Sequence, residues 1–245
     1  MSLEAPLRVA VLSDLHIGSP PVVGAFGHDV GAFARHLDGL LGTHDHVVLN
    51  GDVFQCDHGL RWDRDAHRGA LARAMAAHPW LCERLDRPRV HYLRGNHDEV
   101  AHDVLGASER LVLGVPGAQV VITHGDQHDP VIGRAPGISA AATWFSGRVR
   151  RAGLGRLASA LEDRDVVIKA GRFGGATGPY AAGAAALMVE TGAQVAILGH
   201  THIPEHHALP QGIFANPGSA SLGHFRWVSV DLAAGDVRLM DEPAA

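Results

Sequence analysis

The sequence predicts a layered α/β domain over residues 1–245, with a helical segment inserted at 127–192. Two observations carry this. Apolar, β-branched runs alternate with stretches of helical periodicity, the pattern of a sheet covered by helices. A short polar signature closes most of the apolar runs, and ligands of α/β sheets gather at the carboxyl ends of the strands.

The elements follow in order. Val9–Leu12 reads as a buried strand and runs into Ser13-Asp14-Leu15-His16. After a loop with Pro20 and Pro21, the spacing of Val30, Phe33, Leu37, Leu40 and Leu41 predicts a helix. Val47–Leu49 is a second strand, ending at Asn50-Gly51-Asp52. Arg64–Leu85 reads as helical, with a break near Pro79. Val90–Leu93 is a third strand and leads to Gly95-Asn96-His97-Asp98. Leu111–Val115 and Gln119–Thr123 flank Pro116-Gly117, which predicts a hairpin closed by His124-Gly125-Asp126. From Gln127 to about Gly192 the chain is helical and rich in Ala and Gly. Val195–Leu198 is a further buried strand, followed by Gly199-His200-Thr201-His202. Gly212–Ala215, Trp227–Asp231 and Val237–Met240 read as short strands.

Composition narrows the class of function. The chain is 46% hydrophobic and 19% charged, as in a soluble globular protein. A net charge of −5 gives no reason to expect nucleic acid as a partner. Two cysteines, Cys56 and Cys82, are too few for a disulfide framework and read as reduced thiols. Met1–Arg8 lacks a basic segment followed by an apolar core, and no apolar run approaches the ~18 residues of a spanning helix. The expectation is a cytoplasmic protein, with peripheral membrane contact left open. Oligomeric state is not legible.

The polar signatures supply Asp14, His16, Asp52, Asn96, His124, His200 and His202. Residues i and i+2 of an extended chain point the same way, so Asp14 and His16 would reach one ion if the backbone stays extended, and likewise His200 and His202. Asp52, after a glycine that allows a tight turn, is the natural bridging carboxylate. Oxygen and imidazole donors without thiolate suit Mn, Fe or Zn. Two such ions about 3.5–4 Å apart clamp the oxygens of an in-line displacement and ionise a shared water near neutral pH. His97 is placed to protonate the departing oxygen, with Asp98 expected to hold its tautomer.

In this order, the signatures resemble the calcineurin-like metallophosphoesterases over nearly the whole chain. The resemblance implies a two-sheet β-sandwich flanked by helices. It implies one ion held by Asp14, His16, Asp52 and His202, and a second by Asp52, Asn96, His124 and His200. His97 matches the family's general acid. The Asn216-Pro217-Gly218-Ser219 stretch also matches a turn of bacterial members.

Between Gln127 and Ala185 the chain carries eight basic and four acidic residues, a net +4 within a chain of −5. A lid of that sign would attract a small phosphorylated substrate. The insertion resembles that of the UDP-2,3-diacylglucosamine pyrophosphatases, so a nucleotide-sugar lipid is one candidate. Those enzymes commonly have Arg at the position of His97, which points back to phosphomonoesters, phosphodiesters or diphosphates more broadly. Gln55 stands where the family often has an acid. Arg94 is a candidate phosphate contact or a plain strand-end arginine. A non-catalytic scaffold of the same fold, a nuclease and a protein phosphatase are the alternatives.

Overall fold

The computed structural model describes residues 7–18, 26–57, 63–130, 132, 136–221 and 223–243. Pro20, Pro21 and His58 lie outside the described residues.

Two five-stranded sheets face each other. The first has the order β10(Asp236–Pro243), β9(His224–Asp231), β1(Arg8–Leu12), β2(His46–Asn50), β3(Val90–Leu93). The second has the order β4(Arg110–Val115), β5(Ala118–Thr123), β6(Val195–Leu198), β8(Gly212–Pro217), β7(Pro204–Leu209). β1, β2 and β3 run parallel, as do β5, β6 and β8. β4 and β7 pair antiparallel at the two edges of the second sheet, and in the first sheet β9 pairs antiparallel with both β1 and the edge strand β10.

Alternation along each strand divides the core. Val9 and Val11 join Val48, Val120, Ile122, Val195, Ile197, Val228 and Val230 in the layer between the sheets. Ala10 and Leu12 point the other way, onto Phe33, Leu37, Leu71 and Leu81 of the outer helices. These are α1(Val30–Thr43), α2(Arg64–Ala77) and α3(Pro79–Leu85), with a short α4(Ala101–Leu105) after β3. Asp29 caps α1 through the Ala32 N–H, and Asp63 caps α2 through the Ala66 N–H. The break anticipated near Pro79 falls at His78, because proline starts the next helix but cannot continue the last one. Val30, expected on the inner face of α1, is 38% exposed.

The segment after β5 holds a 3₁₀ turn at Asp126–His128 and three helices: α5(Pro136–Arg151), α6(Gly155–Phe173) and α7(Pro179–Thr191). They behave differently. α7 buries Tyr180, Ala181, Ala184, Leu187 and Met188 on Val121, Ala196, Leu198 and Phe214, so it is the outer layer of the second sheet. α5 and α6 pack on one another. β7 is an element that periodicity did not reveal. Its sequence, Pro-Glu-His-His-Ala-Leu, is polar because it is an edge strand with one covered face. Cys56 and Cys82 are free thiols.

Candidate metal centre

Five parallel strands point their carboxyl ends at one place. Asp14 follows β1, Asp52 follows β2, Asn96 follows β3, His124 follows β5 and His200 follows β6. The two sheets are fastened together there by Asn50, which is fully buried. Its Nδ2 donates to the Thr123 carbonyl at 2.9 Å, and its own carbonyl lies 2.9 Å from His124 Nδ1 and 2.8 Å from Ser13 Oγ.

The expected extended backbone is not what brings the pairs together. Asp14, His16, Asp52, His200 and His202 all have positive φ, between 49° and 69°, and they are the only non-glycine residues that do so among the described residues. Each costs roughly 1–3 kcal/mol to hold in that region, so surrounding contacts must enforce it. The two loops enforce it on each other: His16 N–H donates to the Asp52 carbonyl at 2.8 Å, and Asp14 N–H to the Gly51 carbonyl at 3.2 Å. Gly51 has φ 79°, and a Cβ there would overlap the His124 ring. A Cβ on Gly95 would overlap Asp52 Oδ1.

Each buried carboxylate has one oxygen tied to backbone and one turned toward imidazoles. Asp14 Oδ2 accepts the His200 N–H at 3.2 Å, and Asp52 Oδ1 accepts the His97 N–H at 2.8 Å. Asp14 Oδ1 and Asp52 Oδ2 are buried and accept no hydrogen bond. They lie 3.2 Å from Nε2 of His202 and 3.2 Å from Nε2 of His124, respectively. His16 Nε2 is 3.1 Å from His202 Nε2, and Asn96 Oδ1 is 3.3 Å from His124 Nε2. Two donor groups result, Asp14–His16–His202 and Asp52–His124–His200, and a third, His16–Asp52–His97, joins them.

The far nitrogen of each ring sets its tautomer. Gln55 presents its amide N–H to the acceptor-only carboxylate of Asp57 at 2.6 Å, so its Oε1, 2.8 Å from His16 Nδ1, faces an N–H there. His16 Nε2 then carries the lone pair. Nδ1 of His124 donates to the Asn50 carbonyl, which leaves Nε2. Nε2 of His200 donates to Asp129 Oδ2 at 3.0 Å, which leaves Nδ1. Asp129 is 2% exposed, and Tyr180 stacks on the His200 ring at 6.3 Å.

Burial alone would push the carboxyls up, but the imidazoles hold Asp14 and Asp52 well below the usual range. Burial and the neighbouring imidazoles take His16 down to about 4. Burial acts against protonation of His124 as well, yet Asp52 and Asp14 hold it well above the ordinary imidazole value. The field is thus one that retains a cation, whether a proton or a metal ion.

Asp98 does not hold His97. Its two oxygens take the N–H groups of Asp52, Val53, Phe54 and Gly95 and the Tyr92 hydroxyl. The carboxylate at His97 is Asp57, with Oδ2 2.8 Å from Nδ1. Asp98 is fully buried, while His97 is half-buried and lines the cleft at the mouth of the site. Burial lowers the His97 pKa, but Asp57 and Asp52 outweigh it and raise it to about 10. Arg94, the strand-end arginine, is engaged by Glu109 at 2.8 Å and Asp126 at 3.5 Å.

Sequence reasoning missed Asp57, and it named Asn50 and Asn216 only as members of their motifs, without the roles they play. Asn216 donates to the Gly199 carbonyl and Thr201 Oγ1, both at 2.9 Å, and Ser219 Oγ donates to the Asp14 carbonyl at 2.8 Å. The Asn216–Ser219 turn is therefore the clasp on two ligand-bearing loops. Its Asn-Pro-Gly-Ser sequence was the available signal.

A family model described as calcineurin-like phosphoesterase matches residues 7–204. The chain belongs to the calcineurin-like phosphoesterase family. No curated protein matches it. Among solved structures it is similar to a conserved uncharacterised protein from Streptococcus pneumoniae described as a predicted phosphoesterase. That likeness has 17% identity, covers 97% of this chain and 99% of the other, and has a TM-score of 0.43. It is also similar to Vps29 complexed with zinc from Entamoeba histolytica (18% identity, 98% and 100% covered, TM-score 0.43). A third is a novel archaeal phosphodiesterase (13% identity, 96% and 100% covered, TM-score 0.47). This member of the calcineurin-like family has an α/β fold of two five-stranded sheets flanked by helices, with buried His/Asp clusters consistent with a two-metal site.

Proposed function

We propose that this calcineurin-like protein hydrolyses a small phosphomonoester, phosphodiester or diphosphate with two divalent cations, Mn, Fe or Zn. The observation that carries this is the pair of buried, hydrogen-bond-free oxygens, Asp14 Oδ1 and Asp52 Oδ2, each facing imidazole nitrogen. Buried carboxylate oxygens that face only imidazole nitrogen need a positive charge beside them, and a bound cation supplies it. In this reading Asp14, His16, His202 and Asp52 hold one ion, and Asp52, Asn96, His124 and His200 the other.

When bound, the cations supply Lewis acidity at the phosphoryl oxygens and a nucleophile from water at neutral pH. The chain's own residues do the rest. Asp57 fixes Nδ1–H of His97 and stabilises the imidazolium, so Nε2 offers a proton to the leaving oxygen. A cleft of about 170 Å³ adjoins His97, lined by Asp57, His67, Asn96, Glu99 and Trp144 among others. Trp144 belongs to α5, which brings the inserted helices to the leaving-group side. That contact favours, as a second reading, a diphosphate with a bulky leaving group such as a nucleotide-sugar lipid.

The test is hydrolysis of p-nitrophenyl phosphate and its bis-ester with added Mn²⁺, comparing wild type, His97→Ala and a variant lacking all seven donors. Activity in the wild type that the donor-less variant lacks supports the proposal. Equal, background rates in both point to a non-catalytic scaffold.

A further inference from the structure

The α5–α6 hairpin carries an unusual surface. It holds six of the thirteen large apolar side chains that are exposed among the described residues: Phe145, Leu154, Leu157, Leu161, Val167 and Ile168. They are between 46% and 70% exposed. Leu157, Leu161 and Ile168 fall within about 40° of one another around α6, so they form a stripe. The opposite side of α6 supplies Val166, Ala170 and Phe173, which are half-buried, and Phe173 packs against the core beneath α7. The helix is therefore apolar on two sides, and only one of them is covered.

Charge says what covers the other. Residues 136–173 carry seven basic and three acidic residues, a net +4, which leaves −9 on the remainder of a chain of −5. Arg148, Arg164 and Arg172 are exposed on the hairpin, and Arg164 lies within the stripe itself. A second copy would bring two +4 segments together, which is unfavourable. Nucleic acid would take the arginines but leave the leucines in water. A surface that is apolar below and anionic above satisfies both.

We propose that the α5–α6 hairpin docks on an anionic lipid surface, inserting Leu157, Leu161 and Ile168 below the headgroups and setting its arginines among the lipid phosphates. The docking does not depend on the phosphoesterase reading. Trp144 lines the cleft from α5, so the hairpin that carries the stripe also borders the site.

Co-sedimentation of the full chain with vesicles tests this, using pure phosphatidylcholine against an equal mixture with phosphatidylglycerol. The chain should pellet with the mixed vesicles and stay in solution with the neutral ones. Leu157→Glu with Leu161→Glu should weaken binding by at least tenfold, and Arg164→Glu should weaken it and reduce its salt dependence. Both side chains are half-exposed, so circular dichroism and hydrolysis of a soluble ester should be unchanged. Failure to bind mixed vesicles, equal binding to neutral ones, or binding that survives the double leucine variant would overturn the proposal. So would a dimer in light scattering that the leucine variant dissolves, since a second copy would then be the occupant.

Discussion

His97 Nδ1 lies 2.8 Å from Asp57 Oδ2, on the same exit from β2 that carries Asp52. Gln55, between them in sequence, donates to the other Asp57 oxygen at 2.6 Å and faces His16 Nδ1 at 2.8 Å. A single loop thus orients both the proposed proton donor and a proposed metal ligand.

Asp57→Asn should lower kcat about 10-fold to 100-fold, and His97→Ala by about 10²-fold or more with a poor leaving group. Asp57 raises the His97 pKa, so its loss should move the alkaline limb of the pH–rate profile to lower pH. A limb that does not move under Asp57→Asn would assign the proton to another group.

Gln55→Ala and Asp129→Ala remove the acceptors that fix the His16 and His200 tautomers. Each should weaken metal binding about 10-fold to 100-fold, as loss of such partners does elsewhere. Calorimetric titration of the stripped protein with Mn²⁺ or Zn²⁺ checks it, and unchanged affinity in both would remove the tautomer argument.

Gly95→Ala places a methyl on Asp52 Oδ1, which is fixed by the His97 N–H and cannot retreat. The expected cost is roughly 1–3 kcal/mol in stability together with loss of metal. Thermal unfolding with and without metal separates the two effects.

Chelation should abolish hydrolysis and lower the melting temperature, and divalent metal should restore both. At a hundredfold excess over Kd, one site contributes about 2.7 kcal/mol. A melting temperature indifferent to Mn²⁺, Fe²⁺ and Zn²⁺ would contradict a two-cation site.

A separate pH effect belongs to the outer core. His36 stacks on Phe225 at 4.7 Å and packs against Trp227, and burial, aided by His28, pushes its pKa down to about 4. Unfolded, it titrates near 6.5. Between those values the unfolded chain binds the proton more readily, so stability should fall as pH drops from about 6.5 to about 4. Denaturant titrations of wild type and His36→Phe should diverge across that window and run parallel above it.

His28 shows how composition misleads. A chain with 18 histidines suggests solvated imidazoles, yet His28 stacks on Phe225 at 4.8 Å and bonds to the Ala220 carbonyl. Whether an imidazole faces water depends on residues distant in sequence, and no local pattern records them.

The order of strands and polar signatures was legible because alternation and strand-ending polar clusters are local properties. Asp14, Asp52, Asn96, His124 and His200 could be placed at strand ends from sequence for that reason. Tertiary structure alone decided which carboxylate serves His97, that Arg94 is engaged by acids, and that α7 belongs to the sheet layer. It also decided the left-handed backbones of Asp14, His16, Asp52, His200 and His202, which replace the extended geometry that side-chain alternation implies. Those conformations are costly in isolation, and only loops from different strands, bonded to one another, can hold them.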